Sequence, residues 1–325
     1  MRHHLSILLV TVLILFPGCA PKIKLFSAQP TDPLREVVLE GHGEDKLALI
    51  HLTGVLTSQP KTGTFRPSPS QVQELVSSLE LAASDSSVRG IVIAINSPGG
   101  TTTASDILYH EITEFKKRTK KTVVAALFDV AASGGYYAAL PADWIIAHPT
   151  TITGSVGVIF MRPKLHELFD KIGIGVEVSK SGEDKDMGSP FRPSTPEETA
   201  LFQTIIEKYA DRFHSLVVQH RHPTPAHMAL IKSARVFTAD QAREIGLIDQ
   251  IGYIQDAFGK TRELAHLPVD ATIVTYRRDT YPNDNPYNTM TATEIGKLDM
   301  LGLDVGFLAP PQAGFYYVWP QGMTH

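Results

Sequence analysis

The apolar residues of this 325-residue chain follow two periods that alternate through its middle. Leu47-Ala48-Leu49-Ile50-His51-Leu52, Gly90-Ile91-Val92-Ile93-Ala94-Ile95 and Thr122-Val123-Val124-Ala125-Ala126-Leu127 are near-continuous runs of strand length, the pattern of strands buried on both faces. Helical spacings lie between them. Val72, Leu75, Val76 and Leu79 follow a Ser70/Gln73 capping box, and Leu108, Ile112 and Phe115 share a second helical face. Beyond Ser133 a short helix ends by Pro141, Trp144-Ile145-Ile146 and Val156 to Phe160 read as strands, and Leu165 to Lys171 as a helix. Leu201, Ile205, Tyr209, Phe213 and Leu216 mark a long amphipathic helix from Pro196 to about Gln219, opened by Glu197 and Glu198 where the helix dipole favours acids. Doubly buried strands alternating with helices predict an α/β domain with a mainly parallel sheet flanked by helices.

The ends of the chain differ from this middle. Leu5 to Phe16 is an apolar run behind Met1-Arg2-His3-His4, too short for an ordinary spanning helix, and it reads as an export signal. It closes on Gly18-Cys19, which predicts a lipoprotein-type signal peptide over 1–19 with lipid on Cys19; a simple secreted precursor or an uncleaved anchor is the alternative. Cys19 is the only cysteine, so no internal disulfide forms. Residues 20–45 read as a tether, 46–276 as the folded domain, and 277–325 as a partly ordered tail containing Phe315-Tyr316-Tyr317-Val318-Trp319. Thirty basic against 34 acidic residues give a net charge of −4, which supplies no field to draw the protein onto nucleic acid. The membrane is expected as a partner only through the N-terminal anchor, with the domain in the cell envelope outside the cytoplasm.

Three small-residue turns stand at predicted strand ends, where open α/β sheets hold ligands. Asn96-Ser97-Pro98-Gly99-Gly100 lets backbone approach a substrate closely, and its N–H groups suit an oxyanion, although a Gly-Gly turn alone is more often only a turn. In Ala132-Ser133-Gly134-Gly135 the serine sits at the tip of a strand-to-helix turn with Gly134 as a second N–H donor; this segment by itself favours a plain helix cap. The third group is Thr153-Gly154-Ser155-Val156-Gly157, followed by Ser181-Gly182-Glu183-Asp184-Lys185-Asp186-Met187-Gly188. There is no G-x-S-x-G or H-E-x-x-H pattern, no cofactor motif is present, and His214, His220, His222 and His227 read as solvated or capping residues rather than metal ligands.

Taken together, these blocks, with Arg235-Val236-Phe237-Thr238 and Ala242 to Asp249, resemble the bacterial signal peptide peptidase A family, relatives of the Clp protease and crotonase fold, from about Lys46 to Leu264. The resemblance implies Ser133 as nucleophile, Lys185 as general base, Ser155 as the accessory serine that helps hold the lysine, and Gly100 with Gly134 as oxyanion donors. It also implies peptide substrates, namely remnant signal peptides or unfolded envelope polypeptides, and a ring of identical subunits. A lysine removes a serine proton only when neutral, and at a reference pKa of ~10.4 roughly one in a few thousand is neutral at pH 7, so such a base needs an enclosed site away from Asp184 and Asp186. The small residues around Ser133 suggest small apolar side chains beside the scissile bond, and the aromatic tail is expected in a neighbour's groove as product or inhibitor. A crotonase-like acyl-CoA enzyme and a catalytically inactive scaffold lipoprotein are the rival readings.

Overall fold

The computed structural model describes residues 32–60, 68–290 and 314–321. The signal segment and Cys19 lie outside them. Among the described residues no helix is long and apolar enough to cross a membrane.

The apolar runs form the sheet's centre. Strands β2 (Lys46–Thr53), β3 (Val88–Ser97) and β5 (Thr122–Ala132) lie side by side in parallel, with β6 (Trp144–Ala147) and β10 (Gln250–Ile251) continuing the sheet beyond β5. On the other side β11 (Thr272–Arg277) joins β2 in parallel and β1 (Arg35–Glu40) closes the edge antiparallel. β1 lies inside the stretch expected to be tether, so the ordered chain begins ahead of Lys46: Val37 and Val38 pair with Thr275 and Val274 and extend the sheet by one strand. The parallel sheet flanked by helices agrees with the fold expected from the sequence.

Alternation along each strand divides the core in two. Ala48, Ile50, Ile91, Ile93, Ile95, Val123 and Ala125 pack on one face beneath α1 (Gln71–Ser84) and α2 (Thr102–Thr119), while Leu47, Leu49, Val92, Ala94, Val124 and Ala126 meet Ile254, Ala257 and Phe258 of α8 (Ile254–Ala265). Both faces are therefore dry, which explains apolar runs without alternation. Between these helices come α3 (Gly134–Ala139), α4 (His166–Ile172), α5 (Pro196–Arg221), α6 (Pro225–Lys232) and α7 (Ala239–Glu244). α5 starts on a reciprocal cap in which the Thr195 hydroxyl accepts from the Glu198 N–H and the Glu198 carboxylate accepts from the Thr195 N–H, both at 3.1 Å.

Two short pieces complete the main sheet near the site: β7 (Ile152–Gly154) extends β5 in parallel, and β9 (Val236–Thr238) pairs antiparallel with β7. The strand expected over Val156 to Phe160 is instead β8 (Ile159–Met161), because the Ser155 N–H turns to the Arg235 carbonyl at 2.9 Å. A separate three-stranded sheet runs β4 (Gly99–Thr101), β12 (Gly314–Val318), β8.

The segment after β11 folds back over the sheet around buried Arg277, which pairs with Asp284 at 3.1 Å, and the Pro286 carbonyl lies 3.0 Å from His51 Nε2. Burial, helped by the Arg277 cation, pushes the His51 imidazole down to about 4 from 6.5. Between those pH values the unfolded chain binds the proton that the folded chain refuses, so stability falls as pH falls through this window, by up to ~3 kcal/mol. Urea unfolding at pH 7 and pH 4.5 is expected to show a smaller acid-induced loss in His51→Gln than in the parent chain.

Candidate active site

The three sequence turns converge because the register of β3 against β5 slips at their ends, from Ile95 opposite Leu127 to Ser97 opposite Ala131. Asn96 bridges the extra residues of β5, its amide nitrogen donating to the Asp129 carboxylate at 2.9 Å and its oxygen accepting from the Val130 N–H at 3.2 Å. Ser97 fixes the next peptide: its hydroxyl donates to the Gly54 carbonyl at 2.7 Å and accepts from the Gly99 N–H at 3.1 Å. Neither residue was assigned a role from sequence.

Ser133 follows directly, at φ 52° and ψ −115°, a conformation costly to any residue with a Cβ. Its N–H donates to the Gly154 carbonyl at 2.7 Å and its carbonyl accepts from the Tyr137 N–H at 2.8 Å, so β7 and α3 grip the turn from both sides. α3 is anchored in turn by buried Tyr136, whose hydroxyl donates to the Leu247 carbonyl at 2.6 Å. The Ser133 hydroxyl makes no capping bond; its contact is the Gly157 carbonyl at 3.5 Å. The serine thus stands at a helix start without serving it. The strain is held at a buried serine beside the Gly99-Gly100 turn.

The glycines have distinct reasons. Gly99 takes φ +99°, and a Cβ there would lie 2.0 Å from the Tyr317 carbonyl oxygen and 2.7 Å from the Gly134 nitrogen. At Gly100 a Cβ would strike the Leu56 peptide, whose N–H bonds the Gly99 carbonyl and whose carbonyl accepts from the Thr101 N–H. At Gly134 it would meet the Ser105 hydroxyl at 2.2 Å and the Tyr317 oxygen at 3.0 Å. Ser133, Gly134, Gly99, Gly100 and, one residue past the Gly154 carbonyl, Ser155 at φ 51° are therefore gathered at one sheet end.

Lys185 does not join them. It sits exposed on a 3-10 turn, Glu183–Asp186, and among the described residues no hydrogen bond links it to Ser133 or Ser155 and no carboxylate lies within ion-pair distance. Asp186 faces elsewhere, bonding Lys180 and Arg192 at 2.9 Å each, which hold its carboxyl well below the usual range. Arg192 continues to Glu198 at 2.5 Å, so a chain of ion pairs ties the lysine's segment to the start of α5. No cluster of metal-ligating side chains exists among the described residues; His220 bonds the Tyr109 hydroxyl at 2.9 Å.

The aromatic tail is placed differently from the expectation. β12 lies on its own chain, antiparallel to β4 on one side and to β8 on the other, with Tyr317 opposite Gly100. A strand with three consecutive aromatics, Phe315-Tyr316-Tyr317, pairs along the edge that the Gly-Gly turn presents.

The sequence profile of Peptidase family S49 matches residues 115–268. A protein of Enterococcus faecium provisionally named signal peptide peptidase SppA is 32% identical over 290 residues, covering 87% of this chain and 84% of that one. A provisionally named protease of Methanocaldococcus jannaschii is 34% identical over 228 residues, covering 69% of this chain and 72% of its own. Among solved structures, a ClpP1 variant from Listeria monocytogenes aligns with 64% of this chain and 93% of its own at a TM-score of 0.41 and 17% identity.

The backbone at Ser133 carries its own test. Only glycine takes this conformation without strain, so Ser133→Gly is expected to unfold at higher temperature than Ser133→Ala by about 1 kcal/mol, or 2–4 °C in calorimetry.

Proposed function

The chain belongs to peptidase family S49, and from that premise we propose an envelope-anchored enzyme with Ser133 as nucleophile, Lys185 as general base and Ser155 as the hydroxyl that orients the lysine. Its activity is that of a serine-type peptidase on peptide substrates. In the proposed cycle Ser133 Oγ attacks the scissile carbonyl carbon as its proton passes to the lysine. The C–N bond breaks, the leaving amine takes that proton, and water then hydrolyses the acyl ester and frees the serine. The N–H groups of Gly100 and Gly134 receive the oxyanion. The observation that carries this reading is the strained Ser133 turn, whose hydroxyl is left out of helix capping. An acyl-CoA enzyme would leave that strain without a use.

The chemistry needs this lysine enclosed and neutral. The position of Lys185 on the surface therefore supports a ring of identical subunits in which a neighbour covers it and brings it to a serine. Residues 1–19 would anchor the ring to the membrane through lipidated Cys19. Remnant signal peptides and unfolded envelope polypeptides are the proposed substrates, a class supported by the name of the Enterococcus relative.

Casein and peptide hydrolysis tests each part. Ser133→Ala and Lys185→Ala are each expected to fold and to lose roughly 10³-fold or more in kcat/KM, while parent activity rises with pH from 5 to 9 as the base loses its proton. Co-assembled from mixed subunits, the two dead variants are expected to recover part of the activity. Full activity in Lys185→Ala would refute the base assignment, and no recovery on mixing would place the dyad within one chain.

A further inference from the structure

The glycine turn at the end of β3 is laced to the loop that follows β2. The Gly54 N–H donates to the Asn96 carbonyl at 2.9 Å, the Ser97 hydroxyl to the Gly54 carbonyl at 2.7 Å, the Leu56 N–H to the Gly99 carbonyl at 2.9 Å and the Thr101 N–H to the Leu56 carbonyl at 3.0 Å. A fifth bond runs inside the turn, from the Gly99 N–H to the Ser97 hydroxyl at 3.1 Å. Of the three N–H groups in β4, those of Gly99 and Thr101 are thus committed to this lacing. That of Gly100 takes no part in it, and the Gly134 nitrogen lies beside Gly99, 2.7 Å from where a Cβ would stand.

Ser97 supplies the one side chain in these five bonds, and it is fully buried. Pro98 after it confines Ser97 to extended backbone, which carries the hydroxyl to the N–H two residues on. Gly99, at φ +99°, has no Cβ to resist rotation, so sterics alone would let the Pro98–Gly99 peptide plane turn over. Turned over, it would present an N–H where the Pro98 carbonyl now accepts from the Trp319 N–H at 2.8 Å, and it would aim that carbonyl at Ser97. The Gly100 N–H would move with it. Ser97 opposes the rotation by a directional argument: its only proton is given to Gly54, so its oxygen offers a lone pair, which attracts the Gly99 N–H and repels a carbonyl.

We propose that Ser97 is a positioning residue for acyl transfer: its hydroxyl, oriented by the Gly54 carbonyl, latches the Pro98–Gly99 peptide in the orientation that keeps the Gly100 N–H available, with that of Gly134, to an oxyanion. Ser97 touches no reacting atom and acts through Gly99. The proposal rests on the peptidase reading for the meaning of Gly100, whereas the latch itself stands on the hydrogen bonds of the turn. Its effect belongs to the transition state. The oxyanion forms only as Ser133 attacks, so a misaimed donor slows the reaction and leaves substrate binding as it was.

Three measurements on the full chain test it. First, Ser97→Ala is expected to lower kcat for a peptide substrate about 10- to 100-fold with KM within about twofold of the parent, and Ser97→Thr, which keeps the hydroxyl, to recover most of that loss. Second, a peptide aldehyde, whose adduct with a serine carries an oxyanion, is expected to inhibit Ser97→Ala more weakly by a similar factor. Third, hydrogen exchange read by mass spectrometry on fragments spanning Ser97 to Thr101, where Pro98 has no N–H, is expected to quicken at Gly99 by about tenfold or more in Ser97→Ala and not in Ser97→Thr. Should Ser97→Ala fail to fold, Ser97→Cys keeps the shape, weakens both bonds and is expected to show the same split between kcat and KM on a smaller scale. A lowered melting temperature with kcat and aldehyde inhibition unchanged would make Ser97 a structural residue only and overturn the proposal, as would unaltered exchange at Gly99. Faster Gly99 exchange in the alanine variant of a chain that hydrolyses no peptide would uphold the latch while refuting the peptidase reading.

Discussion

The 2.7 Å hydrogen bond from the Ser133 N–H to the Gly154 carbonyl joins the two halves of the site. A serine at φ 52° has no local reason to stay there, and the conformation persists because the backbone is bonded on both sides: to β7 through its N–H and to α3 through its carbonyl. β7 in turn is held by the buried Thr153 hydroxyl, which donates to the Ala131 carbonyl at 2.6 Å, and by its antiparallel partner β9. The long run of β5 past its neighbour β6 makes this possible, since only the last three residues of β5 reach β7. The site is thus an end of the sheet drawn out beyond the core, rigid in backbone and sparse in side chains.

The sheet was legible because its strands are buried on both faces, and Ile91 to Ile95 or Val123 to Leu127 admit few other readings. The helices were legible for the complementary reason: Leu108, Ile112 and Phe115 recur at one face and all three are buried. β1 was not, because Arg35-Glu36-Val37-Val38-Leu39-Glu40 lies at an edge with one partner and mostly exposed or half-exposed side chains, so no apolar period marks it. The small residues at the strand ends announced a place of close backbone approach without naming what approaches. At Gly100 it is the Leu56 peptide, which no spacing rule connects to it; at Gly99 it is the Tyr317 carbonyl from far along the chain, and at Gly134 the Ser105 hydroxyl with that carbonyl next.

Lys185 marks where local reading stops. Its neighbours Asp184 and Asp186 look in sequence like partners that would hold it charged, yet Asp186 is committed to Lys180 and Arg192, and Arg192 to the carboxylate that caps α5. The helix cap and the posture of the lysine's segment are one set of ion pairs. A residue can therefore be presented on the surface by interactions that do not touch it.

Pro98 has no N–H, so the Pro98–Trp319 step of the ladder is closed by a single bond, from the Trp319 N–H to the Pro98 carbonyl. Up to Tyr317, β12 pairs with β8 at Gly314, Phe315 and Tyr316 and with β4 at Tyr316 and Tyr317; beyond it only this bond and the Val318–Gly99 pairing remain. β12 is consequently held unevenly about the Gly99 turn, by two strands in succession on its N-terminal side and by one on its C-terminal side. A polypeptide held in the same way would suit the proposed acyl transfer, in which the amine fragment leaves first and opens a path for water while the acyl half stays registered until it is hydrolysed.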